Sequence, residues 1–181
     1  MKSHIEFAKE KGVAMMTLDD EHEMEKIQKI YPDAKLVLRI LPPPTKAQCN
    51  LGCKYGVLPE RAPALLRKAK DMGMNLMGVS FHVGSGCLEA KAFSKAISAA
   101  STVFQEAERL GLNLEMLDIG GGFPGHEQGD ISFAQISRYI NSSLEEFFPN
   151  RQNLRVIAEP GRYFASAAYT LATNIIGKYF H

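Results

Sequence analysis

Short apolar runs recur along this chain, each followed by a polar or glycine-rich turn and then by apolar residues at helical spacing. Val13-Ala14-Met15-Met16-Thr17-Leu18 reads as a buried strand. Asp20 with Glu23 three residues on is a helix-start signature, and Met24, Ile27 and Ile30 line one face before Pro32 stops the helix. Lys35 to Ile40 is the next strand. Pro42-Pro43-Pro44 opens a loop that runs towards Pro59, where a helix through Leu65, Leu66 and Ala69 begins. Leu76 to Phe81 is a third strand, Ala92 to Leu110 a long helix, and Leu114 to Ile119 a fourth strand. Phe133 to Phe148 is helical, and Arg155 to Glu159 a fifth strand.

Strands alternating with helices at this spacing imply a parallel sheet covered by helices. The strands are near-continuous apolar runs, as expected where both faces are buried. About five βα units are too few to close an eight-stranded (β/α) barrel. Thr170 to Ile176 reads as one more strand with no helix after it, and Ile5 to Glu10 as the end of a helix. The expectation is therefore an α/β chain that is cut at both ends.

Composition narrows the class. The chain has 181 residues, 45% hydrophobic and 23% charged, which suits a globular fold with a real core. A net charge of +1 gives no footprint for nucleic acid or an anionic membrane. No apolar run reaches the roughly 18 residues of a spanning helix. Met1 to Glu6 lacks the apolar core of a secretory signal. Cys49, Cys53 and Cys87 show no zinc-site spacing and read as reduced thiols of a cytoplasmic protein.

The candidate chemistry sits at the carboxyl ends of strands, where α/β folds bind ligands. Gly120-Gly121-Gly122, before Phe123-Pro124-Gly125, lets backbone approach a ligand closely and suits a phosphate. No P-loop lysine follows. His82 emerges from the third strand; alone it reads as structural, but Gly84-Ser85-Gly86 beside it adds a phosphate ligand, and an imidazole can lie over a flat ring. Glu159 and Arg162 flank Pro160-Gly161, and two readings stand level: an ion pair, or a carboxylate for a ring nitrogen with a phosphate clamp. Arg39 ends an apolar strand and Lys54 follows on the loop. The methionines are core filling.

From about Ile5 to Lys178 the chain resembles the eukaryotic ornithine decarboxylase family, pyridoxal phosphate enzymes with an alanine-racemase-like (β/α)8 barrel. The resemblance rests on Leu36 to Ile40, Phe81 to Cys87, Asp118 to Gly125 and Glu159 to Tyr163. It implies that residues 1–165 are a partial barrel and 166–181 the start of a C-terminal β-domain, with pyridoxal 5'-phosphate as cofactor. His82 would stack on the pyridine ring, Ser85, Gly120, Gly121, Gly122 and Arg162 would hold the phosphate, and Glu159 would meet the pyridinium nitrogen. Arg39 would lie beside the cofactor and Lys54 near the interface of the family's homodimer. The family's Schiff-base lysine, in a Tyr-Ala-Val-Lys-like setting, has no counterpart here, and Pro42-Pro43-Pro44 replaces a more polar loop.

The resemblance implies a carboxy-lyase acting on a small amino acid such as ornithine, making putrescine for polyamine biosynthesis, with this chain a fragment inactive alone. It also implies an alternative, because the family includes antizyme inhibitors: a truncated, non-catalytic paralogue that binds antizyme through about residues 5–29. Ser85 with its flanking glycines, Pro124 and Arg162 match the decarboxylases rather than the inhibitors. A third reading is a gene-model fragment without a role of its own.

Overall fold

A computed structural model of the protein describes residues 1–52, 54–126, 131–149 and 153–178. Five parallel strands make one twisted wall: β1 (Met15–Leu18), β2 (Lys35–Arg39), β4 (Asn75–Ser80), β6 (Met116–Asp118) and β7 (Arg155–Ile157), side by side in that order. Between β2 and β4 lies β3 (Ala47–Cys49). It pairs antiparallel with β5 (Ser85–Cys87) in a separate two-stranded sheet. The helices are α1 (Lys2–Glu10), α2 (Glu21–Ile30), α3 (Ala62–Asp71), α4 (Lys91–Arg109), α5 (Phe133–Phe147) and the short α6 (Gly161–Ala165). From α1 to α5, each helix packs against the next.

The local chemistry explains the elements. The Asp20 carboxylate accepts from the His22 N–H at 2.8 Å and caps α2. Glu23 does not reach back to complete a capping box; it pairs with Lys26 one turn on. Ser132 caps α5 by accepting from the Gln135 N–H at 3.2 Å. Met24 and Ile27 of α2, Leu66 and Ala69 of α3, and Phe93, Ile97 and Phe104 of α4 all turn onto the sheet side and are fully buried. Each large side chain so buried stabilises the fold by roughly 1.5–3 kcal/mol before entropy is subtracted. Phe104 meets Phe148 edge-on, with ring centroids 5.2 Å apart, and so closes α4 over the end of α5. One buried polar contact also joins the helices: the Ser143 hydroxyl lies 2.7 Å from that of Ser94 across α4 and α5.

Two expectations are corrected. The stretch from Pro42 to Pro59 is not wholly loop. Its centre forms β3, and Leu41 and Val57 bond back to β2 through Leu41 N–H to Val57 O (2.8 Å) and Val57 N–H to Arg39 O (3.0 Å). Thr170 to Ile176 forms no strand: it pairs with no other segment among the described residues, and Leu171, Ile175 and Ile176 are exposed. An extended segment becomes a strand only when a neighbour takes its N–H and C=O groups. Of the cysteines, Cys49 and Cys87 are free thiols, as expected, and Cys53 lies outside the described residues.

Candidate active site

The parallel register places four strand ends in one row: Arg39 beside Ser80, Ser80 beside Asp118, and Asp118 beside Ile157. The chain turns off each strand just beyond these residues, so His82, Gly120 to Gly122 and Glu159 all lie on the same rim. Backbone bonds tie them together. The Gly120 carbonyl accepts from the Glu159 N–H at 2.8 Å, and the Gly122 carbonyl accepts from the Cys87 N–H at 2.9 Å. The glycine turn is thus stitched to both other motifs.

Those stitches need glycine. Gly120 has φ +60°, and a Cβ there would stand 2.0 Å from the Phe81 carbonyl oxygen. At Gly121 a Cβ would stand 2.8 Å from His82 Nε2 and 2.8 Å from the Glu159 carbonyl oxygen. His82 therefore lies directly against the turn. Its Nδ1 accepts from the Gly84 N–H at 3.0 Å, which leaves the proton of the neutral ring on Nε2. Burial and the nearby Arg39 charge push the imidazole below its ordinary pKa, against the pull of Glu159. At neutral pH His82 is an uncharged flat ring.

Arg162 does not pair with Glu159, the bland alternative. Its Nε donates to the Ser85 hydroxyl at 3.0 Å, bringing the two motifs furthest apart in sequence together. Ser166 lines a cavity with Ser85 and Arg162, and its buried hydroxyl has no partner among the described residues. A guanidinium, a serine hydroxyl and an unpartnered hydroxyl form a donor set suited to an anion. On the other side His82 borders a cavity of about 510 Å³, lined chiefly by Leu41, Pro42, Pro43, Pro44 and Leu58. Among the described residues, no lysine lines either cavity.

Arg39 stands at the rim with its guanidinium carbon 4.9 Å from the Tyr55 ring centroid. Lys54 is exposed on the loop, and its neighbour Tyr55 is the residue that reaches the site. Three participants carry no role in the sequence reading. Tyr55 gives no signal at all. Asp19 accepts from the Gly56 N–H at 2.6 Å and so holds that loop. Asp118, the last residue of β6, is a charge closing an apolar strand, which is the same signal that marks Arg39.

The chain matches the model of the pyridoxal-dependent decarboxylase family's pyridoxal-binding domain over residues 1–166. It belongs to that family. Among curated proteins it is 46% identical to ornithine decarboxylase of Mus musculus over 176 residues, 97% of this chain and 38% of that one. It is 44% identical to antizyme inhibitor 2 of Xenopus laevis, over 97% of this chain and 39% of that one. Among solved structures, the arginine decarboxylase of Paramecium bursaria Chlorella virus bound to agmatine superposes with a TM-score of 0.85 at 37% identity, covering 91% of this chain and 44% of that one. The five-stranded wall is thus part of a decarboxylase barrel, and pyridoxal phosphate is the cofactor of this domain. The chain spans less than half the length of these relatives.

The residues fit that cofactor in their non-covalent parts. The donors around Arg162 suit its phosphate, and the glycine turn leaves backbone room where any Cβ would collide. The neutral His82 ring suits an aromatic neighbour.

Proposed function

We propose that this chain is the pyridoxal-phosphate-binding part of an ornithine decarboxylase-type carboxy-lyase. The observation that supports it most is the knitting of the three motifs at one rim: Gly120 O to Glu159 N–H, Gly122 O to Cys87 N–H, and Arg162 Nε to Ser85. When bound, the cofactor supplies the electron sink for loss of carbon dioxide from an amino acid. The protein's part is to hold and orient it. His82 lies against one ring face, uncharged, so it adds contact without opposing a ring cation. Ser85, Arg162 and the turn at Gly120, Gly121 and Gly122 take the phosphate. Glu159 accepts a hydrogen bond from the protonated ring nitrogen, and Arg39, held by Tyr55, lies alongside.

Lys54 marks the face towards a second subunit, as in a homodimer. Residues 1–165 are the barrel part, and the chain from 166 leads towards a second domain. With no lysine among the described residues that line either cavity, the 181-residue chain by itself binds the cofactor without a covalent link and does not turn over ornithine. Two assays test this. Fluorescence titration with pyridoxal phosphate should show saturable binding that weakens at least about fivefold in Arg162→Ala, the loss of one charge-assisted hydrogen bond. Release of labelled carbon dioxide from ornithine by the purified chain should stay at background. Absence of saturable binding refutes the cofactor role, and turnover refutes the inactivity.

The likeness to antizyme inhibitor 2 supports a second reading, in which the chain regulates polyamine metabolism by binding antizyme through about residues 5–29. This segment comprises most of α1, β1 and nearly all of α2, with Glu6, Glu10, Glu21 and Glu25 exposed along it. Retention of the chain on immobilised antizyme would support it; passage through the column sinks it.

A further inference from the structure

Four aromatic rings run in file from the core to the rim. Phe93 of α4 meets Phe123 with ring centroids 4.8 Å apart, Phe123 meets Phe133 at 5.8 Å, and Phe133 meets Tyr163 at 4.8 Å, all in tilted arrangements. Such separations are those of attractive ring pairs. The file starts fully buried at Phe93 and ends at Tyr163, which is 37% exposed. Phe123 directly follows Gly122, and Tyr163 directly follows Arg162. The rings therefore link the glycine turn to the helix that carries the guanidinium.

That helix needs a hold from outside itself. α6 has five residues, none of them buried. A helix so short does not persist in water by its own bonds. Its side chains reach out in two directions: Arg162 Nε donates to Ser85 at 3.0 Å, and the Tyr163 ring lies on Phe133. The Arg162 bond is exposed to water, which competes for both partners. The ring contact, in contrast, leads back to the core. The α6 backbone also sits close on the turn, since a Cβ at Gly125 would stand 2.8 Å from the Arg162 carbonyl oxygen.

We propose that Tyr163 is a positioning residue: its ring, seated on Phe133 and through it on Phe123, holds α6 so that Arg162 reaches Ser85. The use of Arg162 as a phosphate ligand rests on the function proposed above; the hold of the rings on Arg162 does not. When the hold is lost, fewer chains present Arg162 in place, and apparent affinity for a ligand of Arg162 falls by that fraction.

The test uses the full chain. Without ligand, the Arg162 Nε–H signal in proton–nitrogen NMR should exchange with water at least about threefold faster in Tyr163→Leu than in the parent, the worth of one aromatic pair. Tyr163→Phe, which keeps the ring, should restore the parental rate. With ligand, Tyr163→Leu should weaken pyridoxal phosphate about threefold and leave pyridoxal, which lacks the phosphate, unchanged. In an Arg162→Ala background the same substitution should cost nothing further. Parental exchange in Tyr163→Leu overturns the proposal, as does a Tyr163→Phe variant as fast as Tyr163→Leu. An equal loss for pyridoxal, or an undiminished loss in the Arg162→Ala background, also overturns it by making Tyr163 a general prop of the fold. If Tyr163→Leu does not fold, Phe133→Leu breaks the same contact from α5 and decides by the same measurements. Failure of the parent to bind pyridoxal phosphate would refute the cofactor role, and the ligand-free exchange rates would still decide this proposal.

Discussion

A methyl group at Gly121 tests the packing of the site directly. In Gly121→Ala the new carbon would lie 2.8 Å from His82 Nε2 and 2.8 Å from the Glu159 carbonyl oxygen. Neither neighbour yields easily. The Glu159 segment is tied to Gly120 by a 2.8 Å backbone bond, and the His82 ring to Gly84 by a 3.0 Å bond. Relief comes mainly from swinging the imidazole out, which breaks the Gly84 bond at a cost of about 1 kcal/mol. Overpacking of this kind costs about 1–3 kcal/mol in all. At roughly 2–4 °C per kcal/mol for a domain of this size, the melting temperature should fall by about 2–12 °C. Gly120→Ala should be worse: its carbon would stand 2.0 Å from a backbone oxygen that cannot rotate away, at φ +60°. Urea denaturation should rank the parent above Gly121→Ala and that above Gly120→Ala, and pyridoxal phosphate fluorescence should show Gly121→Ala folded but weakened in binding. A Gly121→Ala protein with parental stability and binding, or the reverse ranking of the two variants, would refute the reasoning.

Other perturbations probe the frame and the titrating groups. Phe104→Ala empties a fully buried site against Phe148 and should cost about 3–5 kcal/mol by urea denaturation. Asp20→Ala removes the α2 cap and should cost about 1 kcal/mol with no change in cofactor binding. In alkylation followed by peptide mass spectrometry, exposed Cys49 should label quickly, whereas Cys87, its thiol pushed up by burial, should label only on unfolding; equal rates would contradict the buried placement. For pH, the protonated form of Asp118 is the favoured one in the fold. Its contribution should be full below about pH 4 and fade as pH rises through about 6, whereas Asp118→Asn should lack that decline. From an ordinary value of 3.8 to about 6, the decline amounts to at most roughly 3 kcal/mol, read as the urea midpoint against pH.

Most of the wall was legible because its signal is local. Buried parallel strands are apolar on both faces, so Lys35 to Ile40 and Leu76 to Phe81 stand out from the helices around them. Their ends were less legible: Val13 to Leu18 shrinks to β1 and Leu114 to Ile119 to β6, because ladder pairing stops where the neighbouring strand stops. The small β3–β5 sheet left no trace, since three-residue strands are defined by their partner and not by their own composition. The same reasoning undid Thr170 to Ile176, whose apolar pattern has no partner among the described residues. At the site, glycines and charges after strands pointed to strand ends that the fold gathers on one rim. What they could not convey is three-dimensional geometry: that Arg162 turns to Ser85, or that Asp118 is buried and takes the Gly120 N–H.

The strand order has a kinetic meaning. Along the wall, each strand lies beside the preceding wall strand in the chain, so a nascent polypeptide can add one βα unit at a time without waiting for a distant partner. The rim follows the same schedule: Arg39 arrives with β2, His82 with β4, the glycine turn with β6, and Glu159 and Arg162 only after β7. Binding at this rim therefore reports that β7 has docked, and a ligand present during synthesis would select chains in which β7 is in place over those in which it is not.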